Sequence, residues 1–400
     1  MKKVFILFTY ILFQLSTYGQ LANKIELTED NRLIGLGQKH ILKSEILKED
    51  RPIIISLPVG YEDNNANYPV LYLLDGLGNI KHTIGTVEML SETGLIPPMI
   101  IVGIESLDRA RDLTPSNAGQ NTYGGTGNSG IPQSGGAPAF LQFIETELIP
   151  YVESNYRTYS FRILEGHSFG GLFSVFTLME SPETFDAFII EAPALWWNGE
   201  EMTEKAKVFF SENEILNKSV YFGIGGGDGW GMRQELLRYV EVIKQHTPEN
   251  FNWLHEEVGD EDHDSSRLLL NYYGLKFVCS DLRMPEELST KYSDESFLSG
   301  EEQLKEKYGK NVRRPAKEYV DLVMLQVEKE NLPGAITILK RATEAYPNYI
   351  GLFTYLAQLY EQTNQISEAI ATYTEGIEVS KKYKLGHEED FNMEIKRLKK

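Results

Sequence analysis

Two kinds of apolar pattern alternate along most of the chain. Short continuous runs, Val70–Leu74 and Met99–Ile104, have no polar face and predict strands buried on both sides of a sheet. Phe161–Leu164, Phe188–Ile190, Val220–Ile224 and Phe251–Glu257 continue the series, and His40–Leu47 and Arg51–Leu57 precede it as a strand pair followed by turn chemistry. Between the runs the apolar residues return at helical spacing, over Lys81–Thr93, Phe140–Glu153 and Gly171–Met179. In the second of these, Phe140, Phe143, Ile144 and Leu148 form one stripe. Strands alternating with helices predict an α/β fold: a three-layer sandwich around a mostly parallel sheet.

The rhythm breaks twice. Residues 113–138 are rich in Gly, Ser, Asn and Thr. A loop of that length is either a flap beside a substrate cleft or a solvated insertion, and it lacks the phosphate-loop pattern. From about Ser280 the chain turns polar, so 283–316 reads as a linker with room for one helix. Beyond it, Ala335-Ile336 recurs as Ala369-Ile370, Leu339 as Tyr373, Ala342 as Gly376 and Tyr319 as Phe353, each pair 34 residues apart. That period resembles the tetratricopeptide repeat, whose small residues let paired helices approach. Residues 317–400 are therefore expected to form a small all-α tail that packs on the main domain or docks a protein partner.

Residues 1–19 have the basic start, apolar stretch and small-residue end of a signal peptide. Export to the periplasm or the cell exterior is the expectation, with no stable membrane span downstream. Domain 20–282 then carries the sheet. The lone Cys279, inside an apolar run, reads as a buried thiol. With 58 acidic against 39 basic residues and a net charge of −19, the surface repels phosphate backbones, which excludes nucleic acid as a partner and weighs against polyanionic substrates.

The chemistry-bearing stretch is Gly166-His167-Ser168-Phe169-Gly170. A strand entering a tight turn and leaving as a helix exposes a serine hydroxyl at the sheet's C-terminal edge, and the glycines remove side chains from the turn. The helix start directs the Phe169 N–H toward a developing oxyanion. A serine nucleophile needs a histidine base oriented by a carboxylate, in the chain order Ser, acid, His. His263 lies in a loop after the Phe251–Glu257 strand, whereas His246 falls in a helical stretch and His255 within the strand. Asp228, just past the Val220–Ile224 strand among glycines, is the acid, with Glu256 and Asp260 as substitutes. The acids of Asp260–Asp264 lack the spacing of a zinc or EF-hand site, so no metal is expected.

Tyr68–Gly76, Val102-Gly103-Ile104, Arg111–Pro115, Gly166–Gly171, Pro193 with Trp196-Trp197, and His263 resemble the esterase D-like esterases. These are α/β hydrolases that include enterochelin-type siderophore esterases and carbohydrate-side-chain esterases such as feruloyl and acetylxylan esterases. The resemblance covers roughly residues 36–280. It implies Ser168 as nucleophile, His263 as base, and the Leu77 N–H beside that of Phe169 in the oxyanion hole. Ala192-Pro193-Ala194 departs from the family, which often has a serine on each side of that proline. Trp196, Trp197 and Trp230 could line an acyl or sugar pocket or belong to the core. Arg109 and Arg111 could meet an anionic group of the substrate or pair with Asp108 or Asp112.

The expectation is a secreted serine hydrolase that cleaves small-molecule carboxylic esters through an acyl-enzyme, without a cofactor. Acyl esters on carbohydrates come first, on the ground of the acidic chain, and ferric siderophore esters second. A non-catalytic hydrolase-fold binding protein docking a partner through its tail is the reading of another class, and a peptidase is a third.

Overall fold

The computed structural model describes residues 36–118, 133–229 and 231–399. Eight strands form one sheet: β1 (Gln38–Ser44), β2 (Glu49–Ser56), β3 (Tyr68–Leu74), β4 (Ile100–Ile104), β5 (Thr158–His167), β6 (Ala187–Glu191), β7 (Ile215–Gly225) and β8 (Glu249–Val258). Their spatial order is β1-β2-β4-β3-β5-β6-β7-β8. The β1–β2 and β2–β4 pairs are antiparallel and every other pair is parallel.

The continuous apolar runs are explained by the sheet's two covered faces. Along β3, Val70, Tyr72 and Leu74 enter one core, while Leu71 and Leu73 enter the other. Helix α1 (Gly76–Glu92) contributes Ile80, Ile84 and Val87 to the second core. The opposite layer includes α2, which runs Ala137–Phe143, passes through a π-turn at Ile144–Leu148 and continues as Ile149–Asn155. It also includes α3 (Phe169–Glu180), α4 (Glu201–Glu212) and α5 (Met232–Gln245). Helix α6 (Arg267–Val278) returns to the α1 side, where Leu270, Leu275 and Val278 are buried. Cys279 is wholly buried in that core, and burial pushes its thiol up to about 12.

Residues 283–316 are not a free linker. They hold a short helix (Glu286–Thr290) and α7 (Asp294–Tyr308). One end of α7 places Leu304 and Tyr308 in the sheet's core, with the Tyr308 ring 4.8 Å from Phe161, while Phe297 at the other end enters the core of the tail. Glu301 between them is 2% exposed and accepts from Arg314 Nε at 2.6 Å, Arg341 Nε at 2.7 Å and the Tyr319 hydroxyl at 2.8 Å. A polar sequence conceals this junction because its charges are satisfied by one another.

The tail is a stack of helices: α8 (Ala316–Glu328), α9 (Leu332–Ala345), α10 (Ile350–Gln362), α11 (Ile366–Tyr383) and α12 (Glu388–Leu398). Helices α8 and α10 begin 34 residues apart, as do α9 and α11, so the sequence period is the helix-pair period. The recurring small residues sit at helix contacts: a Cβ at Gly376 would come within 2.7 Å of the Phe391 ring.

Candidate active site

The site is assembled at the C-terminal edge of the parallel strands. Strand β5 ends at His167, α3 begins at Phe169, and Ser168 makes the turn between them with φ 60° and ψ −113°. That conformation is costly for a residue with a side chain and persists only when its surroundings impose it. Three backbone bonds do so: Ser168 N–H donates to Glu191 O at 2.9 Å, and Ser168 O accepts from Leu172 N–H at 2.9 Å and Ala194 N–H at 3.0 Å. The glycines are obligatory. A Cβ on Gly166 would lie 2.4 Å from the Gly170 carbonyl, and one on Gly171 would lie 2.8 Å from Glu191 O.

His263 follows β8 in a short loop, and its Nδ1 lies 2.8 Å from Asp228 Oδ2. Asp228 follows β7, 7% exposed, and its backbone is turned back by its N–H to Gly225 O at 3.0 Å. The other acids weighed from sequence lie elsewhere: Glu256 accepts from the Tyr221 hydroxyl at 2.9 Å, and Asp260 is exposed. His246 is exposed at the end of α5, and His255 lies within β8. Asp262 caps its own loop, its Oδ1 accepting from the N–H groups of Asp264 and Ser265. Among the described residues no cluster of His, Cys, Asp or Glu is placed to hold a metal.

His167, which the sequence reading passed over as part of the serine motif, connects the two halves. Its Nε2 lies 2.8 Å from the His263 carbonyl oxygen, and the two rings are 4.4 Å apart. Burial, then the neighbouring His263, pushes the His167 pKa down to about 3, so it is neutral and donates this bond as the Nε2–H tautomer. Only its place beside a serine in a strand–turn–helix pattern could have signalled this.

Arg109 connects the Asp75-Gly76 block to the same turn. Its Nε bonds both Asp75 carboxylate oxygens at 3.0 and 2.9 Å, and its Nη2 donates to His167 O at 3.0 Å. Its guanidinium lies over the Phe169 ring, 5.3 Å from the centroid. Neither Asp108 nor Asp112 is its partner, because the chain places it across the sheet edge from Asp75. Arg111, weighed as a substrate contact or as a partner of Asp112, takes the second role and joins a buried ion cluster. It bonds Glu49 at 2.8 Å and Asp112 at 2.7 Å, beside Arg51, which is wholly buried and bonds Asp112 at 2.7 Å.

The aromatic residues divide likewise. Trp197 is fully buried, donates its indole N–H to Ser116 O at 3.1 Å and belongs to the core. Trp196 is partly buried, with its ring 5.7 Å from Phe169. Trp230 lies outside the described residues, as do 119–132 of the long loop and the signal-like 1–19. The Phe169 N–H stands at the first turn of α3, among the donors without an intrahelical acceptor. The Leu77 N–H, at the first turn of α1, donates to Glu105 Oε1.

Comparison with known proteins agrees with this arrangement. Residues 44–266, more than half of the chain, match the Esterase family, described as "Putative esterase". The ferri-bacillibactin esterase BesA of Bacillus subtilis is 31% identical over 174 residues, which are 41% of this chain and 60% of that protein. The siderophore enterobactin esterase of Emericella nidulans is 32% identical over 215 residues, 47% of this chain and 70% of that one. The match thus spans well short of the full length of these relatives. The solved structure of an IroE-like serine hydrolase from Shewanella oneidensis superposes with a TM-score of 0.64 at 26% identity, covering 77% of this chain and 99% of that one. A serine on a strained strand–helix turn, a paired histidine and carboxylate on the next strand ends, and a family match spanning all but a few residues of that sheet lead to one conclusion: the chain belongs to this esterase family, on an α/β-hydrolase fold.

Proposed function

We propose that the protein is a serine esterase acting on siderophore esters through an acyl-enzyme. Ser168 Oγ attacks the ester carbonyl carbon while His263 Nε2 takes the hydroxyl proton. The tetrahedral intermediate collapses as His263 returns that proton to the departing alkoxide, and a water activated by the same imidazole releases the acid. Asp228 holds the Nδ1–H tautomer and stabilises the imidazolium. The Phe169 and Leu77 amides face the oxyanion, and Phe169 with Trp196 supplies apolar wall. The observation that carries this reading is the 2.8 Å His263–Asp228 bond, which leaves Nε2 as the proton acceptor at the edge where Ser168 stands.

The order of substrates expected from the sequence is reversed here. Net charge describes the whole surface, whereas the relatives named as siderophore esterases match this chain at 31% and 32% identity. They support siderophore esters ahead of acyl esters on carbohydrates. Export guided by residues 1–19, and a protein partner for the helical tail, remain parts of the proposal; among the described residues no helix is long and apolar enough to cross a membrane.

The test is a hydrolysis screen of ferric and iron-free siderophore esters, feruloyl and acetylated sugars, and matched amides, followed by product chromatography. A siderophore ester cleaved with the highest kcat/KM, and no turnover by Ser168→Ala, is the expected result. Preference for sugar esters would overturn the substrate assignment. Absence of a fluorophosphonate adduct on Ser168 would overturn the esterase reading and favour a binding protein.

A further inference from the structure

One of the two amides assigned to the oxyanion is already engaged. Leu77 N–H donates to the carboxylate of Glu105, the residue that follows β4 at the same sheet edge. The Glu105 backbone is pinned on both sides: its N–H donates to Pro52 O at 3.3 Å, and its carbonyl accepts from Arg51 Nη1 at 2.6 Å. Only the side chain is free to move. Leu77 is 54% exposed and Leu107 is 55% exposed, so this side of the site opens to solvent and leaves the carboxylate somewhere to go.

An ester carbonyl that becomes an oxyanion needs the N–H that Glu105 holds. Two anionic oxygens competing for one N–H repel each other. Burial raises the Glu105 pKa and the Asp75 carboxylate adds to the rise, while the Leu77 N–H, Lys39 and Arg51 oppose it. Arg109, which reaches the same edge, is committed to Asp75 and His167 O.

We propose that Glu105 is a further residue of the reaction cycle, a competing acceptor whose carboxylate covers the Leu77 amide in the free enzyme and withdraws when an acyl oxygen takes its place. This rests on Ser168 as nucleophile and on Leu77 as an oxyanion donor. A purely structural carboxylate would lower activity or stability when removed. A competing one raises activity.

The experiment compares wild type, Glu105→Ala and Glu105→Gln in steady-state hydrolysis of p-nitrophenyl butyrate, with melting temperature and the rate of fluorophosphonate labelling at Ser168 recorded for each. Loss of the competing acceptor is expected to raise kcat/KM about three- to tenfold and to accelerate labelling in parallel. Glutamine, a neutral acceptor, falls between wild type and alanine. If alanine lowers the melting temperature, the glutamine variant decides. Unchanged or reduced kcat/KM in a variant of wild-type stability overturns the inference. The two levels separate cleanly: unlabelled wild type fails the serine reading as well, whereas labelled wild type with no faster variant fails the Glu105 inference alone.

Discussion

Asp228→Asn removes a charge without removing volume. The wild-type carboxylate is buried, its Oδ2 is 2.8 Å from His263 Nδ1, and its Oδ1 has no hydrogen-bond partner among the described residues. His263 is therefore the group that answers this charge. In the proposed reaction the Ser168 proton passes to His263, and the new imidazolium lies beside the carboxylate. Two unit charges about 4 Å apart interact by about 4 kcal/mol at the effective dielectric of a partly buried site. The His263 side chain is 32% exposed, so solvent trims that figure. Asparagine also presents N–H to Nδ1 and favours the tautomer whose Nε2 already carries hydrogen, which cannot take the serine proton. Together these place the loss in kcat at about 10³-fold, or about 4 kcal/mol of transition-state stabilisation. KM should change little, because neither atom touches the acyl group. Stopped-flow acylation with p-nitrophenyl butyrate measures the step directly, and circular dichroism checks the fold. A variant retaining more than a tenth of wild-type kcat would refute the pairing as the source of base strength and send the role of the acid elsewhere.

His167→Ala should lower kcat about 10- to 100-fold with KM nearly constant, since it releases the His263 backbone from the serine turn. His167→Gln, which can still donate, should recover part of the loss, and no change in either variant would exclude the strut. Glu301→Ala should cost about 3–5 kcal/mol in urea unfolding, because Arg314 and Arg341 lose their buried partner; a cost below about 1 kcal/mol would show the junction to be dispensable. Burial raises Glu165 from 4.5 to about 8, with the bonds from Asn271 opposing the rise, and raises Glu191 as well. The folded chain thus keeps protons that the unfolded chain releases between the ordinary carboxylate range and pH 8, and stability falls as pH rises through that window. Scanning calorimetry from pH 5 to 8.5 should show a declining melting temperature in wild type and a flatter profile in Glu165→Gln.

Local patterns carried the strands, the serine turn and the helical period, because each depends on neighbours within a few residues. Fully apolar strands are legible when both faces are covered, and β3 and β6 show both. The pair Gly166 and Gly170 is legible because the turn brings their own backbones together. The Asp228–His263 pair followed from strand ends and chain order. What escaped were the other contacts made across the fold. Trp197 and Trp196 are adjacent in sequence and their rings lie 5.5 and 5.7 Å from Phe169, yet the first is wholly buried and the second only partly. The Arg111–Asp112 pair could be weighed from sequence, but not that β2 brings Glu49 and Arg51 to it. The segment 283–316 looks like a linker until Glu301 meets Arg314 farther along the same segment and Arg341 from α9.

By itself, the sequence determined an α/β sheet with a helical-repeat tail and a serine motif at a strand end, because burial periodicity and turn sterics are local. Tertiary structure alone decided that His167 ties the His263 loop to the Ser168 turn, that Arg109 clasps Asp75, and that Glu105 sits on the Leu77 amide. Those partners end or follow different strands, and only the folding of the sheet brings them within hydrogen-bond reach.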